Sequence, residues 1–324
     1  MRAVYCTRYG PPEVLQLREV EKPAPGKNEV CIKIHATAVT ASDCIVRGFK
    51  LPLWHPIGFL MGIVLGFRRP RNPILGMVLA GVVESAGEDV KLFKKGDRIF
   101  AWAVKSPVRM MFGAYAEFKC LPENSVMTLK PVNLSHEESA AVIYGGLLAL
   151  YFIKKARIRN GQKVLIYGAS GSIGTTALQL ARYYGAEVTG VCSTANLALV
   201  RSLGAGKVID YTTEEIINGE RYDLIFDAVG KNKTSKLKSQ CRKALTPNGK
   251  YISVDSGSPA GTVENLLFIK KLVEAGHLKP VIDRRYPLEQ IVDAHRYVDT
   301  GHKKGSVVIT IHDEQQKAKS SSSL

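Results

Sequence analysis

The sequence contains few cysteines, and no two of them form a Cys-x-x-Cys pair. Six cysteines are scattered over 324 residues. A chain of this length can bury a core without a disulfide framework, so we interpret them as reduced thiols and expect a cytoplasmic protein. The first residues also lack the long apolar stretch of a secretory signal, which agrees with that expectation.

Acidic residues are in the minority, but the basic excess is not concentrated anywhere. Lys and Arg number 45 against 29 Asp and Glu, which gives a formal net charge of +16. The basic residues form short clusters without interleaved aromatic side chains and without a long basic arm. Nucleic acid is therefore disfavoured as a partner, and a basic surface that attracts phosphate groups is expected instead.

Residues 51–67 lack charged side chains altogether, and Arg68, Arg69 and Arg71 follow them. The stretch is shorter than the ~20 residues that a membrane-spanning helix usually needs, and it contains Pro52 and Pro56. We therefore expect an apolar loop or short helix that covers a pocket. Peripheral membrane contact is the alternative, because an apolar segment beside a basic cluster suits a membrane surface.

The pattern of secondary structure changes near residue 130. Before this point, short alternating apolar and polar runs are separated by turn residues, as in an all-β lobe. After it, Ser135–Glu138 predicts the capped start of a long helix, and strands alternate with helices over residues 163–227. This alternation predicts an α/β fold with a doubly wound parallel sheet. The polar residues 313–324 are predicted to form a disordered tail.

The most specific motif is Gly168-Ala-Ser-Gly171-Ser-Ile-Gly174, between an apolar strand and an apolar helix. Glycines at this spacing allow a tight turn, close approach of backbone N–H groups to a pyrophosphate, and close packing of helix on strand. The amino terminus of the helix then faces the negative charge. In this strand–turn–helix context the motif predicts dinucleotide binding.

The end of the second strand bears on the choice of dinucleotide. NAD-binding proteins usually place Asp or Glu there, where it holds the ribose 2′-hydroxyl. Here the chain reads Cys192-Ser193-Thr194-Ala195-Asn196, with hydroxyl groups and no carboxylate. NADPH is therefore favoured over NADH. Small polar residues are also common at turns of this kind, which is the structural alternative.

Taken together, these motifs resemble one known family. The glycine loop, the strand end at 191–196, Arg201–Ala205 and Val208–Thr212 are similar to the zinc-free quinone oxidoreductase (zeta-crystallin-like) branch of the medium-chain dehydrogenase/reductases. Similar strings extend the resemblance over nearly the whole chain. It implies a GroES-like catalytic lobe (1–130, completed by about 271–312), an NAD(P)-binding Rossmann domain (131–270), a cleft between them, and a homodimer.

The resemblance also implies the residues that contact the cofactor. They are Gly168, Ser170, Gly171, Ser172, Ile173, Gly174, Ser193, Thr194, Asn196, Tyr211, Ala228 and Val229. The branch often has Lys or Arg where this chain has Ala195, so a cation that would pair with a 2′-phosphate is missing.

Zinc-binding relatives hold their metal at positions that can be located in this chain. Thr40 stands where the first Cys ligand would be, Met77-Val78 where a His-Glu pair would be, and Tyr144 at the third ligand position. No four-cysteine loop lies between residues 95 and 115. Since zinc needs Cys, His or carboxylate ligands, we expect no bound zinc.

Without a metal, a carbonyl must be polarised by hydrogen-bond donors or a water chain. Thr40, Asp43 and Tyr144 are the candidate catalytic residues by analogy. The alternatives are that Asp43 caps a helix at 44–48 and that Tyr144 is a packed aromatic. Cys44 is interpreted as a small buried residue, because no His lies near it in sequence.

The expected function is a zinc-independent, NADPH-dependent oxidoreductase that transfers hydride to a quinone, enone or related small carbonyl. An NAD(P)-dependent alcohol dehydrogenase is a second reading, disfavoured because alkoxide formation is harder without a Lewis acid. A third is an NADPH-binding protein that contacts membrane or RNA.

Overall fold

The computed structural model describes residues 1–49, 56–106, 109–213, 219–231, 235–257 and 261–312. The predicted disordered tail lies outside these residues, as does the start of the charge-free stretch with Trp54 and Pro52.

The first part of the chain is built mainly of strands. Its strands are β1 (Arg2–Cys6), β2 (Leu15–Glu19), β3 (Glu29–Val39), β4 (Val78–Ala86), β5 (Arg98–Trp102), β6 (Val104–Ser106), β7 (Arg109–Met110), β8 (Phe118–Pro122) and β9 (Val126–Leu129). A 3-10 turn (Pro12–Val14) and two helices, α1 (Ala41–Gly48) and α2 (Pro56–Leu65), interrupt them. An apolar loop or a short helix is expected within residues 51–67, and the structure has a short helix there, α2.

The long helix α3 (His136–Ala156) begins where its capping sequence predicts. The Ser135 hydroxyl accepts a hydrogen bond from the Glu138 amide (3.1 Å), and the Glu138 carboxylate accepts one from the Ser135 amide (2.9 Å). The helix is long and apolar enough to cross a membrane, but most of it is buried inside the protein. It packs against β3, β4 and β5 on one side. It is therefore a core helix that joins the two halves of the fold.

A five-stranded parallel sheet follows. Its elements are β10 (Lys163–Tyr167), α4 (Ser172–Tyr183), β11 (Glu187–Cys192), α5 (Leu197–Ser202), β12 (Lys207–Asp210), β13 (Tyr222–Asp227), α6 (Lys236–Cys241), β14 (Leu245–Ser253) and α7 (Val263–Glu274). The strand order β12-β11-β10-β13-β14 confirms the doubly wound α/β fold. The order in which successive strands are added to the sheet reverses between β10 and β13. In open parallel sheets, ligands bind in the crevice at such a reversal.

The last elements are β15 (Ile282–Pro287), α8 (Ile291–Asp299) and β16 (Ser306–Thr310). They return to the first part of the chain, where β16 pairs with β3 in a seven-stranded sheet of order β15-β16-β3-β4-β5-β9, with β8 also on β3. The chain thus leaves its first sheet, builds the parallel sheet and comes back.

Candidate active site

Two glycines of the phosphate loop are required by packing. Gly168 has a φ of 78°, and a Cβ there would lie 2.3 Å from Val229 Cγ2. A Cβ on Gly174 would lie 2.1 Å from the Gly168 carbonyl oxygen. Neither position can take a side chain without moving backbone or the facing turn, because real Cβ contacts are never this short.

Gly171 differs from these two glycines. It precedes α4 with φ −77° and ψ 171°, an extended conformation open to any residue. A Cβ there would have one neighbour within 4 Å, the Gly168 carbonyl oxygen at 3.6 Å. The protein's own packing therefore does not require glycine. What its missing side chain leaves open is the space at the amino terminus of α4, where backbone N–H groups attract an anion.

Three polar residues of the predicted cofactor set are brought together beside the loop. The Asn196 side-chain amide donates to Ser193 Oγ at 3.0 Å and to Ser170 Oγ at 3.2 Å. Asn196 Oδ1 is buried and has no hydrogen-bond partner among the described residues. An acceptor without a partner is costly inside a protein, so this oxygen suits a donor from a ligand.

Thr194 faces a carboxylate that the sequence analysis did not place there. Its hydroxyl donates to Asp210, which stands opposite Cys192 in the parallel register of β11 and β12. Asp210 also accepts hydrogen bonds from the Thr212 amide (2.9 Å) and hydroxyl (2.6 Å). Burial opposes ionisation, but these hydrogen bonds outweigh it and lower the pKa of Asp210.

Although β11 ends without an acid, the neighbouring strand β12 therefore supplies a carboxylate, Asp210, at the same edge of the sheet. Parallel strands end at the same edge of a sheet, so Asp210 at the end of β12 could have been found from the sequence. Its negative charge opposes a 2′-phosphate, and a preference for NADPH does not follow from the strand end alone.

The turn after β13 forms the other side of the crevice. The Ala228 amide donates to the Tyr167 carbonyl (3.0 Å), and the Val229 amide donates to Asp227 Oδ1 (3.0 Å). These bonds hold Ala228 and Val229 beside the start of the glycine loop. The Tyr211 ring lies 6.3 Å from the Tyr167 ring, at the same edge of the sheet.

Ile173 and Ser172 occupy the first turn of α4. Ile173 is half-buried, whereas the Ser172 hydroxyl lies 3.1 Å from the Ser306 hydroxyl of β16. Ser172 is thus occupied in joining the parallel sheet to the first sheet.

Thr40 and Asp43 bond to each other at the start of α1. Thr40 Oγ1 donates to Asp43 Oδ2 (2.6 Å) and accepts from the Asp43 amide (3.1 Å). The predicted helix at 44–48 therefore begins earlier, at Ala41, because Thr40 is the capping residue and Asp43 supports it three positions later. Both side chains are buried, and the single hydroxyl hydrogen of Thr40 is already used.

Burial raises the pKa of Asp43 to about 6, against the two hydrogen bonds that its carboxylate accepts from Thr40. Tyr115 is fully buried, and burial raises the pKa of its phenol above its ordinary value. This carboxyl is therefore harder to ionise than an ordinary Asp.

Tyr144 meets a residue that the sequence analysis missed. Its hydroxyl lies 2.8 Å from Ser42 Oγ, on the half-buried side of α1. Burial raises the pKa of Tyr144 to about 12, so the phenol keeps its proton at neutral pH. Trp102 packs 6.3 Å away, ring centre to ring centre. Nothing in the local sequence links Ser42 to a residue 102 positions later, and only the packing of α3 on the first sheet brings them together.

The α3 backbone next to Tyr144 lies close to the start of α4. The next residue on α3, Gly145, packs so tightly on α4 that a Cβ would lie 2.2 Å from the Ser172 carbonyl oxygen. Glycine at this position lets the two helices approach, so the turn of α3 that contains Tyr144 lies next to the start of α4.

Cys44 has a histidine partner after all. Its Sγ lies 3.4 Å from His295 Nδ1, which also accepts a hydrogen bond from Arg47 Nη1 (3.0 Å). Arginine can only donate, so Nδ1 is the acceptor and the imidazole is neutral. Burial and the Arg47 charge lower the pKa of His295 to about 3.

No His lies near Cys44 in sequence, but that did not exclude a partner in space, because His295 comes from α8, 251 residues away. The thiol is still not activated: burial raises the pKa of Cys44 well above its ordinary value. A nucleophilic thiolate needs the opposite shift.

Within the part of the chain that the structure describes, no three His, Cys, Asp or Glu side chains are grouped to hold a metal ion. At the positions equivalent to zinc ligands, Thr40 is bonded to Asp43, Met77 and Val78 are buried in the core, and Tyr144 contacts Ser42. A surface cavity of about 380 Å³ lies elsewhere, and no predicted site residue lines it; it is bordered by Asn28, Asp89, Lys91, Pro122, Glu123 and Asn124.

Comparison with known proteins agrees with this architecture. Residues 26–131 match the alcohol dehydrogenase GroES-like domain family, and residues 172–276 and 257–309 match two families described as zinc-binding dehydrogenase. The chain is 33% identical to the 2-methylene-furan-3-one reductase of Solanum lycopersicum, over 95% of this chain and 79% of that protein. It is 30% identical to the chloroplastic NADPH-dependent alkenal/one oxidoreductase of Arabidopsis thaliana, with the same two coverages.

Among solved structures, the quinone oxidoreductase from Coxiella burnetii matches with a TM-score of 0.82 and 26% identity, over 96% of this chain and 99% of that one. A GroES-like part and a dinucleotide-binding parallel sheet define an NAD(P)H-dependent oxidoreductase, which confirms the nicotinamide cofactor class. The chain belongs to the medium-chain dehydrogenase/reductase superfamily, in its quinone oxidoreductase-like branch.

Proposed function

We propose that the protein is a zinc-independent reductase that uses NADPH to reduce an enone, a quinone or a related small carbonyl. The observation that carries this proposal is the Tyr144–Ser42 hydroxyl pair, on the turn of α3 whose next residue packs against the start of α4 and at a position where zinc-binding relatives have a metal ligand. In this proposal residues 1–130 and 271–312 form the catalytic lobe, and residues 131–270 bind the cofactor.

The described residues fit a nicotinamide dinucleotide. The open space at Gly171 and the backbone N–H groups of Ser172 and Ile173 would hold the pyrophosphate. Asn196 Oδ1, buried without a partner among the described residues, would accept from an adenosine ribose hydroxyl beside Ser193. Gly168, Ser170, Gly174, Thr194 and Tyr211 complete this side, and Ala228 and Val229 border the crevice. When bound, the cofactor supplies the hydride.

We assign the substrate carbonyl to the Tyr144–Ser42 pair. The high pKa of Tyr144 keeps its Oη–H protonated, so it can donate to a carbonyl oxygen as negative charge develops there. Ser42 Oγ forms a hydrogen bond with the same phenol, as donor or acceptor, and this bond fixes the orientation of the phenol. Thr40 and Asp43 act as positioning residues, because their mutual bonds fix the start of α1 and thereby Ser42.

Two observations support hydrogen-bond catalysis in place of zinc. Met77 and Val78 offer none of the Cys, His or carboxylate ligands that zinc takes, and Thr40 is occupied by Asp43. The named activities of two relatives, an enone-type reductase and an alkenal/one oxidoreductase, favour a conjugated carbonyl over an alcohol. The alcohol dehydrogenase reading remains the comparison to exclude by assay.

Preference for NADPH is supported by the name of the Arabidopsis relative and opposed by the Asp210 charge. We therefore propose a modest preference. A homodimer and a cytoplasmic location are also proposed. Sedimentation and cell fractionation would test them.

The test is an NADPH-oxidation screen with purified protein across quinones, enones, ketones, aldehydes and alcohols. Tyr144→Phe should lower kcat by about tenfold to a hundredfold, because it removes a donor worth roughly 1.5–3 kcal/mol to a developing charge. Tyr183→Phe, on an exposed tyrosine, is the matched control and should leave kcat unchanged. Full kcat in Tyr144→Phe, or activity lost to a chelator together with one zinc per chain, would refute the proposed site.

The exposed face of α2 favours a second candidate, peripheral contact with an anionic membrane. Phe59, Leu60 and Ile63 are 52%, 56% and 42% exposed, and Arg68 and Arg69 lie exposed just beyond the helix. The sequence has no Asp or Glu between residues 44 and 83. An apolar face with an adjacent positive cluster is complementary to anionic lipid headgroups.

Vesicle flotation tests this candidate. The protein should bind phosphatidylcholine vesicles that contain phosphatidylglycerol, and the double variant Phe59→Ser/Leu60→Ser should not. Val132→Ser, which removes an apolar side chain that is 85% exposed elsewhere, should bind like wild type. If Phe59→Ser instead raises KM for bulky quinones while vesicle binding is absent, α2 borders the substrate cleft and the membrane candidate is rejected.

A further inference from the structure

Cys31 and Cys120 are direct partners on neighbouring antiparallel strands. Cys31 lies on β3 and Cys120 on β8, and the register pairs their Cα atoms. Three residues further along, the Ile34 amide donates to the Glu117 carbonyl at 2.8 Å, so that pair is a hydrogen-bonded one. Hydrogen-bonded and non-hydrogen-bonded pairs alternate along antiparallel strands. An odd step of three places Cys31 and Cys120 in a non-hydrogen-bonded pair.

This type of pair has the spacing that a disulfide needs. Cα atoms in non-hydrogen-bonded pairs are about 4.5 Å apart, and disulfides span Cα separations of roughly 4.4–6.8 Å. Both sulfur atoms also reach the same acceptor, since each Sγ lies 3.7 Å from the Pro23 carbonyl oxygen. The two side chains therefore share one face of the sheet. Both are free thiols in this structure.

The two sulfurs differ in access and in acidity. Cys31 is fully buried, whereas Cys120 is partly exposed. The Cys120 thiol can donate a hydrogen bond to a Cys31 thiolate, and this lowers the pKa of Cys31 against the effect of burial. The same hydrogen bond, together with burial, raises the pKa of Cys120 above its ordinary value. The Lys22 ammonium, which lies 4.1 Å from the centre of the Phe118 ring, adds a favourable charge.

We infer that Cys31 and Cys120 form a reversible disulfide, a redox modification site on the first sheet that is separate from the candidate active site. The Cys31 thiolate takes the proton of the neighbouring Cys120 thiol, and the resulting Cys120 thiolate attacks a low-molecular-weight disulfide, which forms a mixed disulfide and releases one small thiolate. The Cys31 thiolate then attacks the Cys120 sulfur and releases the second. Two protein thiols lose two electrons, the external disulfide gains them, and the two protons end on the two released thiols.

The difference in burial assigns each cysteine a different role in the thiol–disulfide exchange. The partly exposed Cys120 meets the oxidant, and the buried Cys31 resolves the mixed disulfide. The other four cysteines have no cysteine as register partner. The inference does not depend on the proposed reductase activity, because its readout is the state of the thiols.

The experiment uses the full chain and oxidised glutathione. After incubation, free thiols are alkylated, and peptides are mapped by mass spectrometry with and without a reductant. Wild type should lose two of its six free thiols and yield one intramolecular cross-linked peptide pair, Cys31 with Cys120, that a reductant separates. Circular dichroism before and after confirms that the protein stays folded during oxidation.

Two variants and a control separate the roles. Cys31→Ser should accumulate a stable glutathione adduct on Cys120, and Cys120→Ser should acquire neither adduct nor cross-link. Cys192→Ser removes a buried thiol elsewhere and should form the disulfide like wild type. Six unreacted thiols in wild type, a glutathione adduct that persists on Cys120 in wild type, or a cross-link between other cysteines or between two chains would each overturn the inference. The wild-type map alone decides the matter if a variant does not fold.

Discussion

Two buried side chains near α1 are pushed in opposite directions by their surroundings. Burial raises the pKa of Asp43 to about 6 from an ordinary value of 3.8, so the folded state favours its protonated form. Burial and Arg47 lower the pKa of His295 to about 3 from 6.5, so the folded state favours its neutral form. Burial disfavours the charged form of both groups. Because one group is an acid and the other a base, their contributions to the pH dependence of stability have opposite signs.

The first prediction concerns this opposition. Between about pH 4 and 6 the unfolded chain has released the Asp43 proton and the folded protein keeps it, so this group lowers stability as pH rises. His295 does the reverse between about pH 3 and 6.5, because the unfolded chain binds a proton that the folded protein excludes. In wild type the two slopes partly cancel.

Asp43→Asn should remove the first slope, so that stability rises more steeply with pH between about 4 and 6 than in wild type. The full effect of Asp43 corresponds to roughly 3 kcal/mol, at about 1.4 kcal/mol per pKa unit. Urea unfolding over this pH range measures it, and Asp89→Asn on an exposed carboxylate is the control. Parallel profiles for wild type and Asp43→Asn would contradict the raised pKa.

The second prediction concerns the exposed Ala195, next to the Thr194–Asp210 contact. Ala195→Arg should tighten NADPH by about tenfold or more, because a charge-assisted hydrogen bond contributes ~1.5–3 kcal/mol. NADH should be nearly unaffected. The gain should shrink as salt is added, because ions screen an exposed pair.

Asp210→Asn should also favour NADPH, by removing a negative charge, whereas Cys192→Asp should favour NADH by adding one. Binding titrations of both cofactors measure these effects. If wild type already prefers NADH, or if Ala195→Arg changes both affinities alike, the 2′-phosphate does not lie at this strand end.

Among the secondary-structure elements, the loop before α4 and the first turn of α4 contain glycines with two different purposes. Gly174 is needed for packing, since a Cβ would meet the Gly168 carbonyl at 2.1 Å, whereas a Cβ on Gly171 would meet the same oxygen at 3.6 Å. The first contact is a clash and the second is ordinary van der Waals contact. Gly171 is therefore not required by packing, and its missing side chain leaves space for an anion at the amino terminus of α4.

This difference gives a matched pair of variants. Gly171→Ala should unfold at nearly the wild-type temperature but bind NADPH at least about tenfold more weakly, because the added methyl occupies the space next to the pyrophosphate. Gly174→Ala should lose several degrees of Tm, since backbone must shift to admit its Cβ. Thermal unfolding and cofactor titration separate the two. Equal losses of stability would show that Gly171 is also a packing glycine.

For the whole molecule, a small polar contact adds to the packing of α3 in joining the parallel sheet to the first sheet. Ser306 Oγ on β16 donates to the Ala141 carbonyl of α3 (2.9 Å) and lies 3.1 Å from Ser172 Oγ. The Gly305 amide donates to the Ser170 carbonyl of the glycine loop (2.8 Å). The returning strand thus touches the cofactor loop directly.

Ser306→Ala should leave a buried hydroxyl of Ser172 without its partner and lower the free energy of unfolding by about 1–3 kcal/mol. NADPH affinity should fall as well, because the same contact steadies the start of α4. Ser202→Ala, on an exposed residue of α5, is the control. Lost stability with unchanged NADPH affinity would mean that the contact does not reach the cofactor loop.

Local sequence patterns determined the elements of this protein, because capping and hydrophobic period act within a few residues. The capping box before α3, the glycine loop and the alternation of strands and helices after residue 163 all have their predicted form. The start of α1 was predicted three residues late, since Thr40 and Asp43 share the capping role and sequence alone suggested only Asp43.

The tertiary structure decided which of these elements meet. It brings His295 to Cys44, Asp210 to Thr194, and Ser42 to Tyr144. The first and third pairs are 251 and 102 residues apart in the chain, and no local pattern encodes them. The second pair, 16 residues apart, follows from the parallel alignment of β11 and β12. Such contacts form only when the sheet register and the helix packing are established. The burial of apolar surface on both sheets favours one arrangement of the elements, and the polar contacts result from that arrangement.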